Sequence, residues 1–195
     1  TELVKEDIGL PPTARLDKEH GVASYKKAVE AAAGPYNEVS KLPTLVPDAE
    51  VLQKIDGLRV KPVEGGGSAA ASAASKVNEV VSSTLKAVQE GKFNGAEAIR
   101  TIRKFRQEAQ GVFDAQKRGN LVDPTVLDGA TAKMELTKAL ESLIESNLTD
   151  NPQLLKQFRD ARVKIATIKA YERATDFNTG KIDTTALADA TAENG

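Results

Sequence analysis

The sequence predicts an all-α fold: an antiparallel helical bundle, with an N-terminal helical portion joined to it through a Gly/Ala/Ser-rich linker. Three observations carry that expectation. Alanine supplies 28 of the 195 residues, Trp is absent, and Tyr and Phe together number eight, so the apolar share is dominated by small helix-favouring side chains. A β-sandwich or barrel would use more β-branched and aromatic residues. Three consecutive segments of the C-terminal half repeat apolar residues at steps of three and four. Each of the three opens on a start signal: Asn94, then Asp123-Pro124, then Asn151-Pro152.

Taken in order, the first 17 residues carry Pro11 and Pro12 without a sustained period and are expected as an extended arm. From about Lys18 to Val39, Val22, Tyr25, Val29, Ala32 and Tyr36 recur at helical spacing, and Gly34-Pro35 should end or kink that helix near Ala33. Pro43 and Pro47 bracket a loop. Asp48 can cap a short helix with Val51, Leu52 and Ile55 on one face, stopped by Gly57. Gly65-Gly66-Gly67-Ser68 and the alanines and serines after it offer no large side chain as an anchor, which predicts a linker whose second half can still be helical. The expected organisation is therefore 1–62 for the arm and N-terminal helical portion, 63–75 for the linker, and 76–190 for the bundle with its short C-terminal helix.

Within the bundle, Val77, Val80, Val81, Leu85 and Val88 mark a stripe from Lys76 to Glu90, with Val80 and Val88 as candidates for a partner-facing apolar edge. After Asn94, with Glu97 three residues on, Ala98, Ile102, Phe105, Ala109 and Val112 step by four, three, four and three, and the helix should end near Gly119. The helix begun by Pro124 holds Leu127, Met134, Leu136, Leu140, Leu143, Ile144 and Leu148. The one begun by Pro152 holds Leu154, Phe158, Ala161, Ile165 and Ile168. Short connections favour antiparallel neighbours and an up-down-up arrangement. Residues 97–118 carry six basic and three acidic groups, 123–150 two and six, and 156–173 six and two, so an acidic helix would lie between two basic ones. Exposed pairs contribute only about 0 to 1 kcal/mol each, so this patterning sets register rather than bulk stability. Asp176 to Asp183 reads as a turn, and Asp183 can cap a last helix through Ala190.

The charge balance, 27 basic against 28 acidic side chains, excludes an overall polyelectrolyte field toward nucleic acid or membrane. Cysteine is absent and His20 is the single histidine, so no thiolate nucleophile or multi-histidine metal site can be assembled, and no cofactor or metal is expected. No apolar run reaches membrane-span length, and no signal peptide is expected. His20 with Ser24 is the one base and nucleophile pairing, and it lacks a motif; a solvated histidine is the expectation. Glu135, Glu141 and Glu145 supply carboxylates but on a helix face that would be polar in any bundle. Asp176 and Asn178 begin a calcium-loop pattern that fails at Gly180 and Lys181, so an Asx-type turn is expected. Asn147-Leu148-Thr149 matches a glycosylation acceptor by chance composition. No catalytic residues and no small-molecule substrate are expected.

Basic residues do cluster. Arg100, Arg103, Lys104 and Arg106 share one helix, and Lys156, Arg159, Arg162, Lys164, Lys169 and Arg173 share another, so faces at 100–106 and 156–173 are candidates for nucleic-acid or partner contact. The aromatics near them, Phe105, Phe158 and Tyr171, fall on or beside the apolar seams rather than among the charges.

The phrasing Ala98-Ile99-Arg100 through Phe105-Arg106, Ala139-Leu140-Glu141-Ser142-Leu143-Ile144-Glu145, Phe158-Arg159-Asp160-Ala161-Arg162, and Asn178-Thr179-Gly180-Lys181-Ile182-Asp183 with Ala186-Leu187-Ala188 resembles helical regions of the large virion-associated proteins of tailed bacteriophages. The likeness covers about residues 94–190, and more faintly 22–60. It implies a structural part of the particle, of the ejection type that accompanies DNA out of the capsid or lines its path. Some such proteins carry a peptidoglycan-cleaving domain, but no glutamate-centred motif of that kind stands here, so that activity is not carried over. The expected function is a non-enzymatic structural or interaction protein of the virion, present in host cytoplasm before assembly. Its expected partners are copies of itself or other virion proteins, with a nucleic-acid-binding bundle as the alternative.

Overall fold

A computed structural model of the chain describes residues 2–61 and 67–192. Those residues are mostly helical: α1 (Glu2–Asp7), α2 (Gly21–Ala32), α3 (Gly34–Val39), α4 (Ala49–Asp56), α5 (Gly67–Gln89), α6 (Gly95–Lys117), α7 (Pro124–Ser146), α8 (Pro152–Ala174) and α9 (Thr184–Ala192). Between α8 and α9, β1 (Thr175–Asp176) and β2 (Lys181–Ile182) pair antiparallel, Thr175 opposite Ile182 and Asp176 opposite Lys181. The chain divides into two compact units, Val39–Pro152 and Thr1–Glu38 with Gln153–Gly195.

Several elements follow directly from local chemistry. Asp48, Asn94 and Asp123 each accept a hydrogen bond from the first turn of the helix they precede, from Val51, Glu97 and Thr125 respectively, relieving amides that have no partner inside the helix. Asp183 does the same for Thr185 and Ala186 at the start of α9. The connection from α6 to α7 turns at Gly119, whose φ of +81° is left-handed and suits a residue without Cβ.

In the central unit α6 packs along α7 while α5 and α4 also lie against α7. Glu108 faces Lys133 and Arg106 faces Glu141, so numbers rise along one long helix as they fall along the other, an antiparallel pair. Because α7 is covered on more than one side, its buried residues do not keep to one stripe: Ala132, Leu136, Ala139, Leu140, Leu143 and Ile144 are all buried. The entry to α6 is tight. A Cβ on Gly95 would stand 1.9 Å from the Val39 carbonyl oxygen, and the Gly95 amide donates to Leu42 at 3.0 Å. Asn147 clasps the loop before α4: its Oδ1 accepts from the Val46 amide and its Nδ2 donates to the Val46 carbonyl, both at 2.8 Å. The glycosylation match at Asn147 thus sits on a side chain with an evident structural task.

The other unit joins the two ends of the described chain. Ile8, Leu10, Leu16, Tyr25, Ala28 and Ile168 form one buried cluster, with Tyr171 and Phe177 packed at its margin. Tyr25 Oη lies 2.6 Å from Thr175 Oγ1, and Thr175 donates its own proton to the Tyr171 carbonyl, so Tyr25 is the donor to Thr175. Tyr171 Oη donates to Asp7 Oδ2 at 2.9 Å. Burial, and then the Asp7 carboxylate, push the Tyr171 hydroxyl above its ordinary pKa; burial does the same at Tyr25.

Two expectations need correction. The first 17 residues are not an extended arm: α1 and the buried Ile8, Leu10 and Leu16 make them part of a core, held by apolar side chains that follow no helical period. The linker expected at 63–75 is helical from Gly67 onward, because alanine gives up no side-chain entropy in a helix, and Ala74 is buried; residues 63–66 lie outside the described residues. The compact units are bounded at Val39 and Pro152, and from Gln153 on α8 groups with residues 1–38.

Candidate functional site

The basic residues singled out from the sequence fall into two groups. On α6, Arg100 pairs with Glu97 one turn earlier, Lys104 Nζ lies 4.0 Å from Glu108 Oε1, and Arg106 reaches across to Glu141 on α7. The Glu141 side chain is 6% exposed and that of Arg106 35%, so this pair crosses the helix interface rather than decorating it. Arg103 is exposed, with no ion pair among the described residues. On α8, Lys169 pairs with Glu172, while Arg159 and Arg162 are also engaged. The α6 residues belong to the unit Val39–Pro152 and the α8 residues to the unit Thr1–Glu38 with Gln153–Gly195.

A different feature is concave. Between α5, α6 and α7 lies a cleft of about 420 Å³, within the range of about 300–1,000 Å³ typical of pockets that enclose a ligand or side chains. Leu136 and Ala130 form buried parts of its lining, and Val77, Val80, Val112 and Val126 line it while remaining partly open to solvent. Val126 is 45% exposed. Four charged residues border this apolar surface. Lys133 Nζ is 2.6 Å from Glu108 Oε2, closing one pair. Asp123 accepts from the amide and the hydroxyl of Thr125, and these bonds hold its carboxyl below the usual carboxylate range. Lys76 has no ion pair among the described residues.

Other chemistry considered from the sequence is placed elsewhere. His20 Nδ1 lies 2.9 Å from Asp17 Oδ1 and Ser24 Oγ donates to the Arg15 carbonyl, so the two side chains are directed to separate partners. The hydrogen bond with His20 holds the Asp17 carboxyl low. Glu135 pairs with Lys138 at 3.1 Å, and neither it nor Glu141 nor Glu145 lines the cleft. Asp176 accepts from the Asn178 amide and the Thr179 hydroxyl, making the Asx turn expected from the sequence and lowering its own pKa. Among the described residues no group of three or more His, Cys, Asp or Glu could hold a metal ion, and no helix is long and apolar enough to cross a membrane.

Of the two residues proposed for a partner-facing stripe, Val80 lines the cleft but Val88 is fully buried, because the side of α5 that carries Val81 and Val88 faces the interior. Sequence reasoning named no cleft. Its one local sign was Gly129, a glycine inside an otherwise strong helical pattern. Comparison of the chain with protein-family models, curated proteins and solved structures finds no match.

Proposed function

We propose that the chain is a non-enzymatic structural and interaction protein, acting by helix packing against copies of itself or neighbouring proteins. Following the resemblance carried by residues 94–190, the proposed setting is the virion of a tailed bacteriophage, in the ejection-associated role, with host cytoplasm as its place before assembly. One observation carries the packing reading: the cleft of the central unit leaves Val77, Val80, Val112 and Val126 partly open to water while Lys133 and Glu108 beside them neutralise each other. Such a surface gains free energy by losing water and has no net charge to direct it toward a polyanion.

The alternative is nucleic-acid binding through the faces at 100–106 and 156–173. Exposed Arg103 favours it; the ion pairs made by Arg100, Arg106 and Lys169 count against it. Mass spectrometry of purified particles from the source tests the virion setting, with the chain expected among the particle proteins; its consistent absence from them overturns that setting. Retention on duplex DNA that weakens steeply with salt and is abolished by Arg100→Glu with Arg103→Glu would instead establish the alternative.

A further inference from the structure

We propose that the cleft of the central unit receives Leu121 of a second copy of the chain, in a two-fold arrangement where each copy inserts one leucine and receives the other. The proposal names the occupant of the surface on which the packing reading rests. Leu121 lies in the connection between α6 and α7 and is fully exposed, the most exposed large apolar side chain among those described. Single exposed leucines are ordinary. This one stands two residues before Asp123, which lines the cleft, so knob and hole are separated by at most roughly 7 Å of chain. A two-fold interface requires a patch complementary to itself, and a protruding leucine beside an apolar hole is such a patch: an axis passing between them places each knob in the opposite hole.

The hole also has room that the fold does not require. Gly129 sits in the interior of α7, where glycine costs a helix about 0.5–1 kcal/mol relative to alanine. A Cβ there would stand 3.4 Å from Val77 Cγ2, an ordinary contact, so no clash obliges the residue to be glycine. Its missing side chain widens the cleft.

Charge selects the same occupant. The cleft is bordered by two cations, Lys76 and Lys133, and two carboxylates, Glu108 and Asp123, which gives no net attraction for a charged ligand and no repulsion between identical copies. Lys133 and Glu108 are already joined. Lys76 has no ion pair among the described residues, and the capping bonds of Asp123 fall on its Oδ1. When Leu121 enters the opposite cleft, the Asp123 that follows it approaches the Lys76 of that second copy, and the same pair forms again across the axis. Apolar burial supplies the affinity; the two ion pairs set orientation.

Sedimentation velocity and light scattering of the full chain over a concentration series test this. The expected result is a monomer–dimer equilibrium that stops at the dimer. Leu121→Asp should weaken it at least tenfold and Leu121→Met should retain it. Gly129→Leu fills the hole with a better helix former, so helicity by circular dichroism should hold while dimerisation is lost. Mixing the Leu121→Asp and Gly129→Leu chains should restore a weaker heterodimer, because the intact leucine of one meets the intact cleft of the other. A strict monomer at every concentration overturns the proposal, as do a dimer indifferent to both substitutions and growth beyond the dimer. Saturable binding of dodecanoate by a chain that stays monomeric would reassign the cleft to a small amphiphile. Finding the monomeric chain in purified particles would overturn the dimer alone and leave packing against neighbouring virion proteins in place.

Discussion

In the central unit, Val39–Pro152, helices pack on others from the same continuous stretch of chain; in the other unit, Thr1–Glu38 meets Gln153–Gly195 across everything between. The hydrogen bonds show the contrast. Arg106 and Glu141 are 35 residues apart, whereas Tyr25 and Thr175 are 150 apart and Asp7 and Tyr171 are 164 apart. Loop-closure entropy grows slowly with length, about 0.6 kcal/mol for each doubling, so the end-to-end unit is not prohibited; it has to be held by a dense apolar cluster. Ile8, Leu10, Leu16, Tyr25, Ala28 and Ile168 supply it.

The sharpest way to break the comparison is to empty each core in turn. Ile8→Ala and Leu140→Ala each remove a side chain that is 1% exposed or less. Each should cost about 2–5 kcal/mol. Hydrogen exchange read by mass spectrometry should show Ile8→Ala loosening residues 2–38 and 153–192 together, and Leu140→Ala loosening α6 and α7. Uniform loosening of the whole chain by either substitution would erase the distinction between units.

Next in size is Gly95→Ala, which places a methyl against the Val39 carbonyl and should lose about 1–3 kcal/mol, read as a lower urea midpoint. Gly111→Ala is the control: nothing lies within 4 Å of its Cβ position in α6, so it should gain about 0.5–1 kcal/mol. In the end-to-end unit, Tyr25→Phe removes the proton donated to Thr175 and should cost about 0.5–1.5 kcal/mol, with α8 amides near Thr175 exchanging faster.

The smallest effects are those of pH. Asp123 in the central unit and Asp17 and Asp176 in the other have carboxyls held below their ordinary pKa by hydrogen bonds. A lowered folded-state pKa means the contribution is present above the unfolded value and is lost as pH falls through the depressed one. Acid titration of stability should therefore flatten in Asp123→Asn and Asp176→Asn, each in its own unit.

The same contrast explains what could be read from the sequence. Caps at Asp48, Asn94, Asp123 and Asp183 involve atoms two or three residues away, so residue type and spacing suffice to find them. The charge pattern of residues 97–150 is met by one pair, Arg106 of the basic α6 with Glu141 of the acidic α7; Lys133 with Glu108 joins the two helices in the opposite sense. Ile8, Leu10 and Leu16 carry no period because they pack as an irregular segment against residues far along the chain. The alanine run before Lys76 lacks anchoring side chains, yet high helix propensity makes it the first turns of α5. The cleft stayed hidden because it is a gap between three helices, and in the sequence it leaves only a glycine and a few valines on partly exposed faces.

The proposed association runs through apolar surface rather than through basic faces. Sedimentation equilibrium of the full chain from low to high salt, with and without duplex DNA, tests it most directly. The expected result is self-association that persists or strengthens as salt rises and is unchanged by DNA, since hydrophobic contact is not screened. A monomer that binds DNA at low salt and releases it at high salt would contradict it.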